Sequence, residues 1–233
     1  MKSKGLRAAR RGMVLALAAI TALPLGLSPA TALAGGQYRL PTHFGGILND
    51  YTPASVAGGP YEMHGKWSLE LNEARGTATF SAEMTMETAD FANTDANHDP
   101  TKLGPHTHHI SVSDGVIHTD PNDPTHWQTA CPTLKPPMAG GFVVTGTAYL
   151  TGNGSNPSFG NPSPVTICIL GGAPSATVVG AQAVVEFSNF TFTFNTGARA
   201  ISHFGAQAIN GVVSQCERLW SPASTDCRVE IVE

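Results

Sequence analysis

Along most of the chain, apolar and polar residues alternate one by one. Trp67, Leu69 and Leu71 share one parity, and Ser68, Glu70 and Asn72 share the other. After a turn at Glu73, Ala74, Arg75 and Gly76, the residues Ala78, Phe80, Ala82, Met84 and Met86 alternate with Thr77, Thr79, Ser81, Glu83, Thr85 and Glu87. Successive side chains of a strand point to opposite sides, so these two runs predict a hairpin with one face on a core. Residues 142–150 are rich in β-branched and aromatic side chains and run into turn formers at 151–154. Residues 165–170 form a shorter strand ending at Gly171 and Gly172. In residues 183–195, Ala183, Val185 and Phe187 hold one parity, whereas Phe190, Phe192 and Phe194 hold the other. A phase change of that kind, here at Ser188 and Asn189, is what a β-bulge inserts.

Residues 201–206 and 211–214 are expected as further strands, and residues 227–232 as an edge strand. Helical periodicity is nearly absent; the one candidate, residues 205–213, is short and contains Gly205 and Gly211. Residues 35–60 show no period and many turn formers, which predicts an irregular N-terminal arm. The expected fold is therefore all-β: a single domain over residues 61–233, built as an antiparallel β-barrel or β-sandwich of about eight to ten strands.

The first residues change the compartment. Lys2, Lys4, Arg7, Arg10 and Arg11 precede a short apolar run, and Ala32, Leu33 and Ala34 make a small-x-small cleavage signal. Residues 1–34 are expected to be a signal peptide, leaving a secreted or periplasmic protein with no membrane insertion after cleavage. Removing them takes five basic residues and no acid, so the formal charge moves from −4 to −9. Nucleic acid and anionic membranes reward clustered Lys and Arg, which this chain lacks; no nucleic-acid partner is expected, and the charge suits a cation better. The four cysteines, Cys131, Cys168, Cys216 and Cys227, point to two disulfides in an oxidising compartment. Three pairings are possible; one closes a short loop from Cys216 to Cys227 and leaves Cys131 to Cys168.

The concentrated chemistry is histidine. Of nine histidines, His106, His108, His109, His118 and His126 fall within one short stretch. On a strand His106 and His108 face the same side, and two imidazoles at that spacing can hold one ion. The third ligand is expected to be His118, returned by a turn at Asp114 and Gly115, or His203 on a separate strand; His64 and His126 are further candidates. Neutral imidazoles suit zinc or a divalent transition metal. A looser calcium site is drawn from Asp95, Asn97 and Asp99, which lack the glycine and acid of an EF-hand loop.

The Gly104–His106–His108 spacing resembles the first motif of cupins, although Val112 and Ser113 stand where that motif carries a glutamate. The set His106, His108, His118, Asp123, His126 and His203 is similar to the ligand inventory of copper–zinc superoxide dismutases, without their glycine-rich signatures. Neither likeness assigns a family. No nucleophile elbow, zinc-protease helix or phosphate-cradling loop is present in the sequence. Two functions remain: an exported β-fold metalloprotein, in one form a metal-dependent enzyme acting on a small molecule, or a non-catalytic β-module that encloses a small apolar ligand. Glu83 and Glu87 enter the picture as pocket carboxylates only if their polar face lines a lumen.

Overall fold

Strand β4 (Thr77–Thr88) shows how alternation becomes architecture: Ala78, Phe80, Ala82, Met84 and Met86 are all buried, and Thr77, Thr79, Ser81, Glu83 and Glu87 are exposed. The computed structural model describes residues 37–38, 40–56, 60–88, 105–120, 122–132, 138, 140–152, 162–172, 184–217 and 227–232. The expected signal peptide at 1–34 and the calcium candidates Asp95, Asn97 and Asp99 lie outside the described residues.

The strands are β1 (Gln37–Tyr38), β2 (His43–Tyr51), β3 (Tyr61–Asn72), β4, β5 (His106–His118), β6 (Gly140–Thr151), β7 (Ser163–Gly172), β8 (Val184–Phe194), β9 (Ile209–Glu217) and β10 (Arg228–Val232). Among the described residues, the short α-helices are α1 (Trp127–Ala130) and α2 (Ala198–Phe204). Every pairing is antiparallel. The order β8-β7-β6-β5-β4-β3-β2-β9 closes on itself through β8–β9, giving an eight-stranded barrel, with β10 and then β1 added beside β8. Closure removes the free edges that a sandwich would keep.

The lumen is filled by rings. Trp67 stacks on Phe190 at 4.1 Å between centroids, and Phe80 stacks on Phe190 and Phe192 at 5.8 and 5.4 Å. Each such side chain contributes about 1.5–3 kcal/mol by leaving water. The phase change in β8 is a bulge: Leu170 pairs with Asn189 and Gly171 with Phe187, leaving Ser188 unmatched. On the outside of the barrel a second apolar cluster of Val143, Cys168 and Leu170 is covered by Trp127, Ala130, Cys131 and Met138. The disulfide Cys131–Cys168 staples that cover down, and Cys216–Cys227 joins the end of β9 to the start of β10.

Three expectations are corrected. The turn-rich arm contains a nine-residue strand, β2, paired with β3 on one side and β9 on the other. Its glycines lower local strand preference but are needed there: a Cβ on Gly46 would stand 1.8 Å from the Val212 carbonyl oxygen. Asp114 and Gly115 do not reverse the chain. They form a bulge in a continuous β5, where Asp114 Oδ1 accepts the Thr147 N–H at 2.9 Å and Gly115 fits against the Ala78 carbonyl. Residues 201–204, expected to begin a strand over 201–206, instead end the helix α2. Gly197 (φ 109°) and Gly205 (φ 93°) bracket the helix, and Ala200 and Phe204, one turn apart, are its buried face. Of the two placements open to Glu83 and Glu87, the outer one is observed: both side chains are exposed to solvent and line no lumen.

Candidate metal centre

Because β5 alternates, His106, His108, Ile110 and Val112 all turn toward the barrel interior, with the two histidines at the end where β5 begins. Across that same mouth lies α2, on the connection between β8 and β9. Its last residue, Phe204, is fully buried and acts as a plug, which aims the preceding side chain, His203, at the β5 pair.

Three ring nitrogens meet. His203 Nε2 is 3.1 Å from His106 Nε2 and 3.0 Å from His108 Nε2. A ring nitrogen offers either one N–H or one lone pair, along a single direction. His203 Nε2 therefore cannot make two good hydrogen bonds to two imidazoles at once. Three lone pairs directed at one cation satisfy the same geometry. Metal–nitrogen bonds of 2.0–2.1 Å in a tetrahedron separate the nitrogens by about 3.3 Å, close to what is seen. The ligand atoms of the three residues lie within 4.8 Å of one another, and the cluster can coordinate a metal ion.

The surroundings favour the deprotonated form. His108 is 2 % exposed, and its Nδ1 lies 3.3 Å from the Thr151 carbonyl oxygen. A carbonyl only accepts, so Nδ1 carries the proton and Nε2 presents its lone pair to the cluster. Burial, then the neighbouring His203 and His106, push His108 down to about 3. Burial, then His106, push His203 down to about 4. Aromatic side chains wall the pocket: Tyr61 stands edge-on to His106 at 5.8 Å, and Phe204 packs on His108 at 5.1 Å and on His203 at 4.8 Å.

His118 is not brought to this cluster. With no turn at Asp114 and Gly115, β5 carries it to the opposite end, on the order of 35–40 Å away at ~3.3 Å per residue. There its Nδ1–H meets Asp123 Oδ2 at 2.9 Å and its Nε2 accepts from the Thr145 hydroxyl at 2.8 Å. Hydrogen bonds from the Thr125 side chain, the Thr125 N–H and His118 hold Asp123 down at about 2. This array ties the segment leading to α1 onto the barrel wall.

The remaining candidates are scattered. His64 and His109 face outward; His109 lines an open depression with Lys66 and Glu83. His126 is buried beside Trp127, and burial lowers its pKa against the pull of Asp120 and Asp123. The Thr151 carbonyl and the Phe204 plug were missed by sequence reasoning. A backbone acceptor leaves no residue-type signal, whereas Gly205 directly after His203 and Phe204 is the signal that could have marked a helix end there.

The chain matches no protein-family model, no curated protein and no solved structure. Among the described residues, no helix is long and apolar enough to cross a membrane.

Proposed function

We propose that this is an exported β-barrel metalloprotein that binds one zinc or divalent transition-metal ion through Nε2 of His106, His108 and His203. The carrying observation is the convergence of three imidazole nitrogens at 3.0–3.1 Å around His203, with the tautomer of His108 set by Thr151. Supporting it are the aromatic walls and the depressed basicity of His108 and His203, which leaves both rings neutral at pH 7. The signal-like residues 1–34 and the two disulfides support export.

Three nitrogen ligands leave a position of a tetrahedral ion for a small exogenous molecule, which is the arrangement that catalytic sites use and structural sites close. The partner is accordingly a metal ion together with a small molecule at its open side. The rings of Trp67, Phe80, Phe190 and Phe192 occupy the barrel centre that an enclosed apolar ligand would need.

The test is elemental mass spectrometry of untagged protein isolated from its native compartment, beside His108→Ala and His203→Ala. Near one equivalent of metal, lost in both variants, is the expected result. Metal-free protein that takes up no ion on titration at neutral pH would sink the proposal.

A further inference from the structure

The walls of the histidine cluster carry a second kind of donor. Met86 is the direct cross-strand partner of His106, and Met84 is the direct partner of His108. Met63 pairs in turn with Met86 from β3. All three methionines are fully buried on the inner face of the barrel. Directly opposed residues of an antiparallel pair have Cβ atoms about 4.5–5.5 Å apart, so each thioether shares a neighbourhood with its imidazole.

Methionine is also a general filler of irregular cores. The distribution here is not that of a filler. Among the described inward-facing residues of the barrel, methionine occurs only at 63, 84 and 86, in the two rows that carry His106 and His108. Elsewhere the described core is built mainly from Phe, Trp, Leu, Ile, Val and Ala, with Tyr61 and the Cys216–Cys227 pair besides. A site with three imidazole nitrogens and adjacent thioethers differs from an imidazole-only site in its softness. Zinc gains little from a neutral sulfur, whereas Cu(I) is selected by soft ligands, and nitrogen sites as a class bind Cu(II) most tightly among first-row divalent ions.

We infer that the centre is a copper site, in which His106, His108 and His203 supply the nitrogens and the Met84–Met86 wall supplies a thioether contact that favours the reduced ion. This inference rests on the metal-binding reading above and goes on to name the metal.

The experiment compares Cu(I) and Zn(II) affinities of the full mature protein, by competition with a chromophoric chelator for each ion under anaerobic conditions. It uses wild type, a Met84→Leu/Met86→Leu double variant and His108→Ala. Met-to-Leu changes conserve volume, so the barrel is expected to fold. The expected result is a loss of at least tenfold in Cu(I) affinity in the double variant, with Zn(II) affinity changed by no more than about threefold. Equal losses for both ions, or an unchanged Cu(I) affinity, would overturn the thioether role and leave metal binding standing. If wild type takes up neither ion, or His108→Ala binds both as well as wild type does, the metal-binding reading falls and the copper assignment with it. X-ray absorption of Cu(I)-loaded wild type gives a readout that needs no variant: a copper–sulfur shell supports the assignment, and a shell of nitrogen alone overturns it.

Discussion

His108 Nδ1 sits 3.3 Å from the Thr151 carbonyl oxygen, and that contact turns its other nitrogen toward His203 Nε2, 3.0 Å away. The tautomer is thus set by the backbone of β6, before any ion arrives. A ligand already turned to its task loses little freedom on binding, which is how partners behind a metal ligand raise affinity.

Removing any of the three converging rings is therefore expected to weaken metal binding by at least about 100-fold, beyond the effect of losing a supporting contact. His118→Ala, at the other end of β5, is expected to leave affinity within about twofold of wild type. Titration with a competing chelator separates the two classes, and equal losses at His108 and His118 would contradict the geometry.

Acid should destabilise the metal-free protein. The ordinary histidine value is 6.5, and the folded protein holds His108 near 3 and His203 near 4. Between those values and 6.5 the unfolded chain binds more protons than the native one, so stability falls as pH falls through that window. At pH 4.5 the buried His108 alone costs on the order of 2–3 kcal/mol relative to pH 7. Denaturant melts at both pH values check this, and His108→Leu should show a smaller drop between them.

Gly205 is the stop that places His203. Its φ of 93° and the 2.6 Å approach of a would-be Cβ to Pro53 Cδ leave no room for a side chain. Gly205→Ala is expected to destabilise the protein by about 1–3 kcal/mol and to lower metal affinity by shifting α2. Gly76→Ala is the control: it too has positive φ, but an added Cβ would meet nothing within 4 Å, and it lies in the β3–β4 turn at the opposite end of the barrel. It should cost stability without affecting the metal.

The two disulfides close loops of different length, with sequence separations of 37 and 11. Loop-closure entropy ranks Cys131–Cys168 above Cys216–Cys227, at about 4 against about 3 kcal/mol. Paired Cys→Ala variants compared by denaturant melts test that order. The longer loop shares its anchorage with the His118–Asp123 pair, so removing both should cost less than the sum of the separate losses.

Strand positions were legible wherever one face is core and the other is water, as in β4 and in the bulge at Ser188. They were obscured where glycine stands for a close approach: Gly46 belongs to a central strand because two neighbours crowd it, which no local preference reveals. The pair His106 and His108 was legible from strand spacing alone, and His203 was named as a ligand although its segment was read as extended. Placing His118 beside them failed at a single point. Asp-Gly is a strong turn signal, but here Asp114 accepts the Thr147 N–H from the adjoining strand and the chain runs straight on. Local chemistry proposed a reversal, and pairing with β6 prevailed.

The seam that closes the barrel is also its shortest pairing in the ring: only residues 189–192 of β8 meet residues 209–212 of β9. In the ring order, the β4–β5 pair stands diametrically across from that seam. The α2 connection springs from the seam and carries His203 over the mouth to His106 and His108 on the far wall. An ion held by all three would act as a clasp across the diameter, fastening the most easily parted joint to the wall farthest from it. Loading the site should then slow amide exchange at residues 189–192 and 209–212, which touch no ligand, as much as at the histidines themselves.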